Sequence, residues 1–198
     1  MDFKKHLESA WQMTLKHIVS LLLMTLVMFI ISFLTLGILA PVMMAGYVQS
    51  IVLMMRNGRE PVIQDLFSQM RLFLPLLGFT IVATIAVMVG FRLLFLPGLI
   101  ISVGLTFACI YMLPLMTDQQ MGLMDALRKS WQMATQGNVT DHIVVVVLFL
   151  GLIAIGCSVA IGSLFTQPFA TVFLISTYLE RMPGGSQAPS PPPVPPVS

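Results

Sequence analysis

Along the chain, polar and apolar positions fall in long blocks. Marking every Asp, Glu, Lys, Arg and His leaves three tracts, 18–55, 72–117 and 143–179, and the only charge inside any of them is Arg92. A helix needs roughly 20 apolar residues to cross the hydrocarbon core of a bilayer. Each tract is too long for one crossing and close to the length of two. The pattern predicts an all-α, polytopic transmembrane bundle of about six spans arranged as three helical hairpins. The first and third tracts are somewhat short for two full spans, so their second helices are expected to be short, tilted or incomplete.

Before each tract the pattern changes to a helical period of three and four. In "DFKKHLESAWQMTLKHI", Phe3, Leu7, Ala10, Trp11 and Leu15 share a face, and Lys4, Lys5, Glu8 and Gln12 lie away from it. Val62, Ile63, Leu66, Phe67, Met70 and Phe73 do the same before the second tract, as do Met124, Leu127, Trp131 and Ala134 before the third. Short helices of this kind lie in the membrane interface. Trp prefers that depth, because its ring is apolar and its N–H seeks a wet partner. Trp11 and Trp131 are therefore expected to be interfacial anchors.

The three blocks look like copies of one unit. Gln12-Met13, Gln69-Met70 and Gln132-Met133 recur 57 and 63 residues apart, and "AWQM" at 10–13 is nearly repeated by "SWQM" at 130–133. Each Gln-Met precedes an apolar run, then a proline (Pro41, Pro97, Pro168), then a second apolar run ending at a charge (Arg56, Asp118, Glu180). A fixed period of this kind is a repeat signature. The expected organisation is a transmembrane helical domain over 1–182, with repeats 1–57, 58–118 and 119–182, and a disordered Pro-rich tail over 183–198. The three prolines are expected at the hairpin turns, where the missing N–H suits the first turn of a helix. The outer turns are then "LGILAP", "GFRLLFLPG" and "SLFTQP". Small residues four apart, such as Ala86 with Gly90, Gly98 with Ser102, Gly104 with Ala108, and Gly156 with Ala160, predict close helix contacts.

Charge placement orients the bundle. Nine of the ten Lys and Arg, and all eight Asp and Glu, lie in the four segments that flank the tracts. If each tract crosses twice, those segments share one side, and the positive-inside rule makes it cytoplasmic. Both termini are then inside, and Arg92 is the only charge on the outer side. The apolar tract after Lys4 and Lys5 is far longer than the core of a signal peptide, so it reads as a retained span. Composition agrees: 57% hydrophobic and 9% charged, with mean hydropathy +0.94, against about 25% charged residues in soluble domains.

Candidate chemistry is sparse. There is no HExxH, GxSxG, paired-carboxylate or P-loop pattern. Cys109 and Cys157 fall in apolar tracts with no CxxC, and read as small buried residues. His6, His17 and His142 fall at interfacial positions on the charged side. Arg92 either snorkels to the headgroups or contacts a lipid phosphate. Tyr47, Tyr111 and Tyr178, near Gln49, Thr106 and Thr177, either line a weakly polar cavity or hydrogen-bond between helices. No catalytic residue, cofactor or metal site is expected, and no nucleic-acid partner. The expected partners are membrane lipids, with a protein partner or a second copy of the chain.

The loop R-x-G-x-x-P…D-L-F (Arg56, Gly58, Pro61, Asp65, Leu66, Phe67), with Pro97-Gly98, Pro114 and a G-x-x-x-A-L-x-x-S run (Gly122, Ala126, Leu127, Ser130), resembles a broad family of bacterial integral membrane proteins. That family includes the membrane domain joined to some glycerophosphodiester phosphodiesterases. The resemblance covers about residues 45–135. It implies a multi-helix inner-membrane protein of undefined activity. The phosphodiesterase catalytic domain has no counterpart here, so no enzyme activity is carried over. Three functions are compatible with these features: a non-enzymatic protein that organises lipids or a complex, a transporter for an apolar or lipid-like substrate, and an accessory subunit of a lipid-phosphate enzyme.

Overall fold

The computed structural model describes residues 3–135, 139–157 and 162–182. These form α1 (Phe3–Lys16), α2 (Ile18–Leu34), α3 (Ala40–Asn57), two short 3-10 turns (Ile63–Phe67 and Met70–Leu72), α4 (Phe73–Leu93), α5 (Phe95–Cys109), α6 (Met112–Asp118), α7 (Leu123–Thr135), α8 (Val139–Cys157) and α9 (Gly162–Arg181). No strand occurs among the described residues. The Pro-rich tail and Ala160, the predicted partner position of Gly156, lie outside them.

Local sequence explains most boundaries. Pro41 sits in the first turn of α3 and Pro97 is the third residue of α5, both places where a missing N–H removes no helical bond. Gly58 ends α3 in the left-handed conformation (φ 64°) and gives its N–H to Met54 O at 3.0 Å. Glycine adopts that conformation without the steric cost of a Cβ. Pro168 departs from expectation. It lies inside α9 rather than at its start, so "SLFTQP" is helical and not a turn. A proline in mid-helix removes one backbone bond and crowds the preceding turn; here its ring is buried, which offsets part of that cost.

The second amphipathic segment also departs from expectation. Residues 63–72 form two 3-10 turns, not an α-helix. Pro61 precedes them, and the Asp65 carboxylate accepts the backbone N–H of Val62 (3.4 Å). A short acidic side chain that bonds nearby backbone favours a turn over a continuing helix. Leu66 is fully buried, whereas Ile63, Phe67 and Met70 stay partly exposed. The apolar face is therefore split.

Three segments, Ile63–Leu93, Phe95–Asp118 and Val139–Gly156, are long and apolar enough to cross a membrane. At 1.5 Å per residue the 21 residues of α4 reach about 31 Å, close to the roughly 30 Å hydrocarbon core. α1 and α2 pass the same test only together, and the chain bends by 84° between them.

Packing follows a cyclic pattern. α2 packs on α3, α4 on α5, and α8 on α9. α1 and α2 also pack on α9, the 3-10 turns and α4 on α3, α7 on α5 and α6, and α8 on α5. The first helices thus close on the last. α3 also packs on α6 and α9. Tyr47, Ile51, Tyr111, Leu115, Phe173 and Tyr178 fill this centre, all fully buried. α4 carries its large apolar side chains outward instead, among them Leu74, Val82 and Met88.

One predicted small-residue contact is tight. A methyl group on Gly90 would stand 2.9 Å from the Cα of Gly98, and one on Gly98 would collide with the Phe91 ring. Others are not contacts: a methyl on Gly104 would meet nothing within 4 Å, and Ala86 is exposed.

Candidate functional site

The charges that end the apolar tracts come together. Arg56, in the last turn of α3, makes a two-pronged ion pair with Asp118 at the end of α6 (2.8 and 2.9 Å). Tyr178 of α9 donates its hydroxyl to the same carboxylate (3.0 Å). The Asp118 side chain is 6% exposed and that of Arg56 45%. A planar guanidinium presents two parallel donors to a carboxylate, and residues of α3, α6 and α9 join in a single knot. Glu180 pairs with His6 of α1, whose other ring nitrogen lies 3.1 Å from Ser176 Oγ. Arg181 donates to Met133 O (2.9 Å) near the end of α7 and stands 5.5 Å over the Tyr111 ring. A cation suits both the carbonyl end of a helix and the face of an aromatic ring.

The loop that carries the family resemblance forms a second knot. Asp65 accepts from Ser50 Oγ (2.7 Å), from Arg59 and from the Val62 N–H. A methyl on Gly46 would run into the Asp65 and Leu66 carbonyl oxygens. Gly46 thus lets α3 and the 3-10 turn approach backbone to backbone. Arg56, Gly58, Asp65 and Leu66 of the motif each hold the loop against α3 or α6.

The tyrosines divide. Tyr47 bonds Thr25 of α2 (3.1 Å) and Tyr178 bonds Asp118, the inter-helix role. Tyr111 is buried with the Thr177 side chain beside its hydroxyl, 5.4 Å ring to ring from His142. Thr106 and Thr177 bond carbonyls of their own helices. Gln49 Oε1 is buried without a partner. His142 is buried by the chain beside Phe107, with Nε2 3.0 Å from Phe107 O and Nδ1 unpartnered.

Trp11 and Trp131 have matching environments. They are 56% and 51% exposed. Trp11 sets its ring edge-on to Phe169 (5.7 Å), and Trp131 does so to Phe107 (6.1 Å). Beside them the small residues point inward: Ala10 and Thr14 on α1, Ser130 and Ala134 on α7, all buried. The predicted face of α1 is therefore two faces, with Ala10 inward and Trp11 and Leu15 outward.

Arg92 is exposed in the last turn of α4. It borders a shallow groove of about 480 Å³ lined by Ile85, Met88, Val89 and Leu93. Among the described residues no three His, Cys, Asp or Glu side chains gather as metal ligands would.

The charged knots were not anticipated as contacts. The signal was present, since each second apolar run ends at a charge, but charge order along a chain does not name its partner. The fold and its surface define a class: an all-helical protein with three helices long and apolar enough to cross a membrane, or four if α1 and α2 count as one bent span. No family model, no curated protein and no solved structure matches the chain.

Proposed function

We propose that the chain is a six-span membrane protein of three repeated hairpins, with both termini cytoplasmic. Its role is to organise lipids or a partner complex without catalysis. The bacterial inner membrane is the location that the family resemblance implies. The observation that carries the reading is the division of the surface. Large apolar side chains cover α4, α5 and α8, while Arg56, Asp118, Arg59, Asp65, His6 and Glu180 pair with one another. Lipid-facing surface is apolar, and charges that cannot be hydrated must be paired. The 84° bend between α1 and α2 suits an interfacial helix followed by a crossing one. The cyclic packing of the three units supports the repeat.

The test is labelling of single cysteines in a chain freed of Cys109 and Cys157, at Glu60, Leu94 and Gly122, in intact cells. A membrane-impermeant maleimide is expected to reach only position 94. Labelling of 60 or 122 from outside would overturn the six-span topology. Transport of a lipid-like substrate is the second reading. The buried His142 Nδ1 without a partner favours it, because a passing polar group can satisfy it. Reconstituted vesicles that translocate a labelled phospholipid only when the chain is present would favour transport over organisation. An accessory role to a lipid-phosphate enzyme rests on the resemblance alone.

A further inference from the structure

Between α4, α5 and α7 lies a groove of about 450 Å³, within the range of roughly 300–1,000 Å³ usual for ligand sites. Its two ends differ chemically. Phe79 of α4 and Leu105 and Ala108 of α5 make an apolar trough, and Arg128 and Gln132 of α7 stand at the polar edge with Trp131 between them. The spacing of three and four places all three α7 residues on one helical face. Arg128 is exposed and makes no ion pair among the described residues, whereas its neighbour Lys129 is held by Gln119 (2.7 Å). A free guanidinium with five donors beside an amide matches a phosphate, and basic pockets between membrane helices are places where anionic headgroups bind.

We propose that this groove binds one anionic phospholipid, its phosphate on Arg128 and Gln132 and one acyl chain along Phe79, Leu105 and Ala108. The proposal rests on the membrane reading above and names the lipid class that the protein would organise. Two comparisons within the molecule sharpen it. The groove at Arg92 is lined by α4 alone, so it has no second wall to hold a chain. In the repeat register that aligns Trp131 with Trp11, the place of Arg128 is taken by Glu8 and that of Gln132 by Gln12. The same tetrapeptide thus carries opposite charge one turn upstream, and the Trp11 copy serves as an internal control.

The two tryptophans are the only ones in the chain, so Trp11→Phe leaves Trp131 as sole reporter, and Trp131→Phe leaves Trp11. Each full-length variant is placed in phosphatidylcholine vesicles with a minor fraction of bromine-labelled lipid, and fluorescence quenching is read. Labelled phosphatidylglycerol is expected to quench Trp131 about five-fold more effectively than labelled phosphatidylcholine, the scale of one basic residue near a headgroup. Trp11 should show no such preference. Arg128→Gln should abolish the preference and Arg128→Lys should keep part of it. Equal quenching of Trp131 by the two lipids, or a preference untouched by Arg128→Gln, would overturn the site while leaving the membrane reading intact. No quenching of either tryptophan by either lipid would overturn both.

Discussion

Asp118 holds three helices with one carboxylate. It accepts two bonds from Arg56 and one from Tyr178. Its own burial makes loss of the partner costly, while the half-exposed Arg56 can turn to water and recover part of the loss. Asp118→Asn is expected to lower stability by about 1–3 kcal/mol, read as thermal unfolding in detergent. In a double-mutant cycle of Asp118→Ala with Tyr178→Phe the two losses should be less than additive, since either change removes the bond between them; full additivity would mean that the hydroxyl and carboxylate do not interact. At this scale the sequence was legible where a residue's role is set by its own chemistry. Trp11 and Trp131 were expected as amphipathic positions, and each leaves about half of its surface uncovered by the chain. The sequence did not separate Ala10 from Trp11, or show that His142 is buried, because adjacent helical positions differ by only 100° of rotation. Which of them faces inward depends on the neighbour.

At the scale of elements, local rules did well at helix starts and stops and less well between them. Pro41, Pro97 and Gly58 act where backbone geometry alone decides. Pro168 does not, because α9 gains enough from burial on all sides to carry a proline in its interior. Residues 63–72 have helical spacing of apolar positions but form 3-10 turns, where the Asp65 carboxylate holds the Val62 N–H. Glycine spacing predicts contact only where a second helix approaches. Gly98→Ala is therefore expected to destabilise the α4–α5 pair by about 1–3 kcal/mol through overpacking against Phe91. Gly104→Ala, on the same helix but open to its surroundings, should raise stability slightly through helix propensity. Opposite signs in paired thermal melts would bear this out, and a neutral Gly98→Ala would count against the close approach.

At the scale of the whole molecule, closure of α1 on α9 is the feature that most depends on distant sequence. α1 lies against α9, with Ala10 buried and His6 paired to Glu180. Ala10→Leu should push the two helices apart and cost about 1–3 kcal/mol. Hydrogen exchange should then rise in α9 as well as in α1; a change confined to α1 would argue that closure adds little to the fold.

By itself the sequence determined that the chain is helical, where its apolar blocks lie, and which residues turn the backbone at Pro41, Pro97 and Gly58. These follow from composition, period and backbone sterics, all properties of short stretches. Tertiary structure alone decided that Arg56 meets Asp118, that α1 returns to α9, and that Arg128 rather than Arg92 borders a two-walled groove. Those pairings join residues tens to more than a hundred positions apart. They depend on which helices pack together, and chain-local chemistry does not specify that.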